Sequence, residues 1–234
     1  MIPSSMHRPS GAVAPVPACA CPQPSASPGF CLAQPPVDGG LADLPGLRIG
    51  CEECRAGMPE PLWRFMCGKC RLPAHALQHL PEFALPEPNR QLLMHTRDMT
   101  STLTTFHRSP LRVEILQQSK LGEAYLREVF LRTREAGRIV EYGVIAILLR
   151  QFTAPQQAAI QLGEAPLGGL LHHFEIPFTS APIGFFSVST AILPQPPLTA
   201  AGPARCYGRF NRLSKPTGEP LAWIMEILPP LPAA

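Results

Sequence analysis

The C-terminal half of the chain alternates between runs of apolar residues and short polar joints, a pattern typical of β-strands linked by turns. Two apolar-rich runs, 206–214 and 221–228, flank 215–219, where Gly and Pro suit a hairpin turn. The second run is almost wholly apolar, as in a strand covered on both faces. Glu226 is its one charge. Because an unpaired carboxylate is costly to bury, we expect Glu226 either to face solvent or to have a buried partner.

Four further strands are predicted ahead of this hairpin. They cover 111–117, 124–132, 139–150 and 182–190. The two long runs in the middle are joined through 133–137, a hairpin connection of ordinary length. Strands that follow one another with short joints pair antiparallel, so we predict an antiparallel sheet.

Helical periodicity appears between and before these strands. From 89 to 106 apolar residues recur at helical spacing, and Asn89 is available as a cap, so we predict one helix there. A short helix follows Pro155, and 166–168 opens another that runs to about residue 174. The body 89–234 is therefore predicted to be one α+β domain, with helices packed on an antiparallel sheet.

The first 46 residues show no periodic apolar spacing. They mix Pro, Ala, Ser and Gly, a composition that buries too little surface to fold, and we predict a disordered tail over 1–46. Prolines interrupt its apolar stretches, which argues against a signal-peptide core. No apolar run approaches the length that crosses a bilayer. We therefore expect a cytoplasmic protein without a membrane partner.

The charge balance limits the class of partner. The net charge is +3, and no basic cluster with interleaved aromatic residues stands out. Nucleic acid is therefore not the expected partner. A small anionic ligand is compatible with this charge.

Four of the eight cysteines form two C-x2-C pairs inside the segment 47–88. Cys51 and Cys54 are separated by twelve residues from Cys67 and Cys70. Two such pairs can place four thiolates around a tetrahedral zinc, so we predict a structural zinc segment followed by a linker. All four would be ligands, which leaves no open position for catalysis. Incidental cysteines in a tail and redox-active pairs are the alternatives.

The strand 124–132 carries two adjacent charges that must point to opposite faces. Arg127 shares one face with Tyr125 and Val129, and Glu128 lies on the other. Alternation alone does not decide which charge points inward. An inward Arg127 would be able to grip a planar carboxylate through two parallel hydrogen bonds.

Several short segments, taken together, resemble the chorismate pyruvate-lyase family, including its distant lyase-like branch. They are Asp98-Met99-Thr100, Tyr125–Val129, Pro166–Gly168, and the closing Tyr207–Leu213 with Glu226–Pro229. Each is short, and their order and spacing over 89–230 carry the resemblance. Residues 1–88 lie outside it.

The resemblance implies an antiparallel sheet with helices that enclose a small cavity for chorismate or its product, 4-hydroxybenzoate. Arg127 would bind the ring carboxylate, and the main-chain amides of Met99 and Leu167 would help to hold it. Glu226 would face the ring oxygen from which enolpyruvate leaves. The reaction of the family needs no metal or organic cofactor.

One departure from the family concerns the second carboxylate of chorismate. Better-known members carry a second arginine on the strand after the hairpin, and the matching place here is Val144. Another cation would then be needed for the enolpyruvyl carboxylate. Arg209 is the candidate, with Arg212, Arg132 and Lys120 as further ones.

The resemblance favours a carbon-oxygen lyase that splits chorismate into 4-hydroxybenzoate and pyruvate by orienting the dianion between an arginine and a glutamate. The main alternative is a non-catalytic sensor domain for a small aromatic acid, since the ligand-sensing domain of some bacterial transcription regulators resembles the same fold. A lyase for a related enolpyruvyl compound is a third reading, favoured by the missing arginine. In each case the expected partner is a small aromatic acid.

Overall fold

The computed structural model describes residues 58–193 and 205–230, which fall within one compact unit, 39–234. Within these ranges the chain is an α+β body built on a seven-stranded antiparallel sheet. The strands are β1 (Gln78–Leu80), β2 (Leu111–Leu121), β3 (Ala124–Thr133), β4 (Ile139–Leu148), β5 (Thr179–Ser189), β6 (Arg205–Ser214) and β7 (Pro220–Leu228). The helices are α1 (Glu60–Gly68), α2 (Asn89–Leu93), α3 (Met99–His107), α4 (Ala154–Leu162) and α5 (Leu167–His173).

The strands follow the order β1-β5-β6-β7-β4-β3-β2, and every neighbouring pair is antiparallel. Both predicted hairpins, β3–β4 and β6–β7, are present. In the β6–β7 turn the Lys215 amide donates to the Glu219 carbonyl at 2.8 Å, and Gly218 adopts a φ of 91° that suits glycine. The predicted α+β class and antiparallel sheet are confirmed.

Two strands are longer than their apolar pattern. β2 continues to Leu121, because Lys120 still pairs with Tyr125 of β3. β5 begins at Thr179, which pairs with Ser214 of β6. Backbone pairing carries both strands through polar residues that sequence alternation does not mark.

One face of the sheet is covered by α1. Its apolar side chains share a core cluster with the sheet, and the ring of Trp63 lies 5.4 Å from that of Phe210. The link predicted to be irregular over 73–88 contains the edge strand β1, whose Gln78 pairs with Ser187 of β5. Residues 58–88, assigned from sequence to a zinc segment and linker, thus supply a helix and a strand to the same body as the sheet. The buried residues of α1 are Leu62, Trp63, Phe65 and Met66.

The other face carries the remaining helices. Ile160 of α4 and Leu171 of α5 pack in one cluster with Ile145 of β4 and Leu213 of β6. α4 begins with a capping box at Thr153, as its Ser/Thr-x-x-Gln pattern favours. None of the helices in the two described ranges has the length and apolar character needed to span a membrane.

The single helix predicted over 89–106 is wrong: the chain forms two helices, α2 and α3. α2 ends at Leu93, and Asp98 begins α3 as its N-cap, with its side chain accepting a hydrogen bond from the Ser101 amide at 2.8 Å. A capping carboxylate at this point requires extended backbone at Asp98 itself, so the helix cannot run through it. The break places Asp98 and Met99 at the start of a helix, over the sheet.

Candidate functional site

A cavity lies on the sheet face that α2–α5 cover. It is lined by residues of β2, β3, β4, β6 and β7 and by the first turns of α3 and α5. The volume of the cavity is about 50 Å³. This is below the range of about 300–1,000 Å³ that small-molecule sites occupy, so a ligand with a ring requires the lining side chains to move.

Arg127 lies in the wall of this cavity and is short of partners. Its side chain is buried, at 2 % exposure. One terminal nitrogen donates to the Ile160 carbonyl at 3.2 Å, while Nε has no hydrogen-bond partner among the described residues. Burial lowers the pKa of Arg127 below its ordinary value, an effect that Tyr125 partly offsets. No carboxylate of the described residues forms an ion pair with it, so this is a buried cation able to accept an anionic ligand.

The neighbouring charge, Glu128, faces the opposite side of the sheet. It accepts hydrogen bonds from Tyr142 Oη at 2.7 Å and from Gln117 Nε2 at 2.5 Å, and it is buried. Arg127 and Glu128 therefore both point inward, because helices cover both faces of the sheet. Only Arg127 lines the cavity.

Glu226 lies in the same cavity and is paired. Its carboxylate accepts a hydrogen bond from Nε of Arg209, and both side chains are buried. Of the two alternatives predicted from sequence, the buried partner is the one found. Arg209 also donates to the carbonyls of Leu93, at 2.9 Å, and His95, at 3.0 Å. Burial and the charge of Arg209 lower the pKa of His95 to about 4.

Arg209 does not line the cavity. From sequence, Arg209 was expected to be a cation for the substrate. Instead, its side chain donates to Glu226 and to main-chain carbonyls at and after the end of α2. Burial raises the pKa of Glu226, and Arg209 opposes that rise. Arg209 is thus placed to position Glu226 rather than to contact a ligand.

Glu141 is a second carboxylate in the cavity. It is 4 % exposed, and its Oε2 has no hydrogen-bond partner among the described residues. Because Gly143 pairs with Glu226, Glu141 is the diagonal cross-strand neighbour of Glu226. Burial, reinforced by the charge of Glu226, holds the pKa of Glu141 well above its ordinary value.

Asp98 closes the cavity from the helix side. Its carboxylate accepts from the Ser101 amide and lies 2.9 Å from Nε2 of His172 on α5. Burial acts to raise the pKa of Asp98, but the hydrogen bonds from His172 and Ser101 outweigh it and lower that pKa. A Cβ at Gly168 would come within 2.6 Å of Asp98 Oδ1, so the start of α5 fits against α3 only with glycine there.

The position matched to the family's second arginine does not face the cavity. Val144 is fully buried in the cluster on the α1 side of the sheet. On β4 the cavity is lined by Glu141, Gly143 and Ile145 instead. The expectation that Val144 marks the site of the lost cation is therefore wrong, since alternation turns its side chain to the other face.

Four of the five predicted substrate-site residues line one cavity. They are Arg127, Glu226, Met99 and Leu167. Sequence reasoning missed Glu141, although it is a charge within a nearly apolar strand, the same signal that marked Glu226. It also missed Asn211, which is buried and donates to Ser180 Oγ at 3.0 Å.

Only two of the four predicted zinc ligands, Cys67 and Cys70, lie within the described residues. Cys67 lies inside α1 and is half-buried, while Cys70 is buried just beyond the helix. Burial and the nearby charge of Glu128 raise the pKa of Cys70. No cluster of three or more metal-ligand side chains occurs in the described ranges. Cys51 and Cys54 lie outside them, so the four-cysteine zinc site stays a prediction.

Comparisons with known proteins give no family. No family model matches the sequence, and no curated protein matches it. Among solved structures, the gene product SA0254 from Staphylococcus aureus has a TM-score of 0.39 at 8% identity, over 58% of this chain and 90% of that one. PhnF from Mycobacterium smegmatis has a TM-score of 0.44 at 11% identity, over 58% of this chain and 65% of that one.

A third neighbour, the possible transcriptional regulator YydK from Bacillus subtilis, has a TM-score of 0.37 at 6% identity, over 50% of this chain and 57% of that one. This chain therefore spans less than two thirds of PhnF and of YydK. Likeness at these TM-scores decides neither family nor function. The functional conclusion depends on the cavity itself.

Proposed function

We propose that this domain binds a small aromatic carboxylic acid in the cavity and does not transform it. The carboxylate would pair with Arg127, and the ring would lie over the apolar floor of the sheet. The observation that carries the proposal is the buried guanidinium of Arg127, which has an unpartnered Nε and no carboxylate of its own among the described residues. A buried cation without a counter-charge is costly in the free protein, and an anionic ligand removes that cost.

The end of the cavity away from Arg127 favours a non-catalytic role over lyase chemistry. The lyase reading needs a cation for the enolpyruvyl carboxylate, and Arg127 is the one basic residue among the described residues that line the cavity. Arg209, the cation considered from sequence, does not line the cavity and donates to Glu226 and to two carbonyls, while its Nη2 has no hydrogen-bond partner among the described residues.

The lyase remains a second candidate on one specific observation. Arg127 and Glu226, the anchor and the carboxylate that the resemblance implies, do line the same cavity. Their Cα atoms are about 12 Å apart, from two strand spacings of about 4.8 Å and two residues of about 3.4 Å each. The reaction would split chorismate into pyruvate and 4-hydroxybenzoate without a cofactor.

The test is calorimetric titration of the full chain with 4-hydroxybenzoate, beside an assay for pyruvate release from chorismate. We expect saturable binding without pyruvate. In Arg127→Met affinity should fall at least about 100-fold, since a charge-assisted hydrogen bond is worth about 1.5–3 kcal/mol and the guanidinium can make two. Arg212→Met is the matched control, because Arg212 is an exposed arginine that does not line the cavity.

Two outcomes would overturn the proposal. Unchanged affinity in Arg127→Met would show that the acid binds elsewhere. Pyruvate release that is lost in Arg127→Met and in Glu226→Gln would establish the lyase instead.

A further inference from the structure

Two segments of the chain, 106–114 and 130–140, meet at one end of the sheet, which we call the arginine end. The first segment closes α3 and begins β2, and the second closes β3 and begins β4. In the turn between β3 and β4 the Arg134 amide donates to the Pro110 carbonyl at 2.8 Å. The two segments are therefore in direct contact.

The arginine end is strongly basic. Its two segments contain five arginines and no lysine against two glutamates, an excess of three positive charges that equals the net charge of the whole chain. Arg132 is half-buried and forms an ion pair with Glu114. The other four arginines are exposed, and none of them forms an ion pair with a carboxylate in the described ranges. These four are Arg108, Arg112, Arg134 and Arg138.

Positive groups are held close together on this surface. Arg112 stands directly opposite Arg132 across the β2–β3 pair. A terminal nitrogen of Arg138 lies 2.8 Å from Nδ1 of His107, which must be the acceptor because a guanidinium only donates. Burial, together with the charge of Arg138, lowers the pKa of His107. Because like charges placed opposite each other destabilise a sheet, an anionic partner lying across this end would relieve the repulsion.

An exposed aromatic ring lies on the same surface. Phe106 is 41 % exposed, and its ring makes an edge contact with the imidazole of His107, with 4.9 Å between the ring centroids. It is the one large apolar side chain of the two segments that is exposed. A single ring is too little apolar surface to hold a bilayer, since membrane binding scales with buried apolar area. A ring beside guanidinium groups is instead the arrangement on which unpaired bases stack.

The residue types also narrow the class of anion. The planar guanidinium binds a phosphate through two parallel hydrogen bonds, and nucleic-acid surfaces favour arginine for this reason. An acidic peptide would engage the same arginines but would leave the exposed ring of Phe106 without a role. Phosphates and bases together use both features.

We propose that the arginine end binds single-stranded nucleic acid, with the four unpaired arginines on phosphates and a base stacked on Phe106. The proposal goes beyond the proposed function and does not depend on the ligand of the cavity. Sequence patterning argued against nucleic acid because neither segment alone is a basic cluster with aromatic residues. The contact between the two segments is what assembles the surface.

The test is fluorescence anisotropy, with the full chain titrated into labelled oligouridylate and oligothymidylate of about 12 nucleotides. We expect dissociation constants of about 1–100 μM at physiological salt. Affinity should fall about 50-fold between about 50 and 200 mM salt, since each phosphate contact adds a logarithmic slope of about −0.7 and four arginines are unpaired.

Two kinds of variant separate charge from stacking. The double variant Arg112→Gln with Arg134→Gln should bind at least about tenfold more weakly at low salt, and its salt dependence should shrink to about sevenfold because two contacts remain. Phe106→Ala should bind about tenfold more weakly at every salt concentration and keep the full salt dependence, because stacking is not ionic. The matched control is Arg150→Gln with Arg212→Gln, which removes the same charge from exposed arginines nearer the opposite end of the sheet.

Saturable binding of either oligonucleotide with these variant effects supports the proposal, and the tighter of the two identifies RNA or DNA as the ligand. Absence of binding at about 50 mM salt overturns it. An equal loss in the control pair overturns it as well, because net charge alone would then explain the binding. Unchanged affinity in Phe106→Ala overturns the stacked base. Tighter binding to phosphatidylserine vesicles or to polyglutamate than to both oligonucleotides overturns it in favour of a membrane or an acidic protein. Circular dichroism checks that each variant is folded.

Discussion

Replacing Arg127 by methionine should stabilise the ligand-free protein while it destroys ligand binding. The side chain is 2 % exposed, one nitrogen donates to Ile160 at 3.2 Å, and Nε has no partner among the described residues. Methionine keeps the unbranched stem and removes both the charge and the unsatisfied donor. Function and stability are therefore opposed at this position.

The magnitude follows from the unsatisfied groups. A buried polar group without a hydrogen bond costs about 1–3 kcal/mol, and replacing buried charges by apolar residues of similar size stabilises proteins by about 1–4 kcal/mol. We expect the free energy of unfolding of Arg127→Met to rise by about 1–3 kcal/mol. Each kcal/mol corresponds to about 2–4 °C in melting temperature for a protein of this size.

Urea unfolding followed by circular dichroism measures this change, with the slope m expected to stay constant. The matched control is Arg132→Met on the same strand. Arg132 is ion-paired with Glu114 and donates to the Gly137 carbonyl at 2.9 Å, so its loss should cost up to about 1 kcal/mol. If the free energy of unfolding of Arg127→Met fell by more than about 1 kcal/mol, the reasoning would be refuted. Arg127 would then have a stabilising partner within the protein rather than hydrogen-bonding groups left for a ligand.

Three further predictions concern the rest of the cavity. Because the folded-state pKa of Glu141 is raised, its contribution to stability is lost as pH rises above the unfolded pKa of about 4.3. Glu141→Gln should flatten the fall in unfolding free energy as pH rises above that value, and an unchanged pH dependence in urea unfolding would contradict this. In Gly143→Val the new Cβ would lie 3.2 Å from both Glu141 and Val129, so 4-hydroxybenzoate affinity should fall at least about tenfold, whereas Gly169→Ala, with open space, should leave it unchanged; equal affinities in calorimetry would refute a cavity floor at Gly143. Asp98→Ala should lose about 1 kcal/mol of stability with the helix cap, and Asp98→Asn should retain most of it. Equal melting temperatures of the two variants would contradict a stabilising cap.

Sequence patterning predicted the sheet well, because alternation and turn chemistry act locally. The β6–β7 hairpin follows from two apolar runs around a turn with Gly218, and the structure has it. The break before α3 was missed, because the apolar spacing of 89–106 continues through Asp98, and only the capping geometry shows that the helix restarts there. The packing of α1 on the sheet was also missed, because the two C-x2-C pairs in and before this segment indicate a metal site rather than an amphipathic helix.

The site was predicted in part for a similar reason. Arg127 and Glu226 were found as charges in apolar strands, and a resemblance linked them. Glu141 carries the same local signal, but its meaning depends on register: only the pairing of Gly143 with Glu226 brings the two carboxylates together. The partnership of Arg209 with Glu226 likewise depends on the β6–β7 register.

The most direct test of the central claim is a crystal structure of the full chain grown with 4-hydroxybenzoate. The account predicts the ligand carboxylate within about 3 Å of the Arg127 guanidinium, with the hydroxyl directed to the side of the cavity that carries Glu226. A ligand bound outside the cavity, or an Arg127 guanidinium that hydrogen-bonds to a carboxylate of the protein itself, would contradict it.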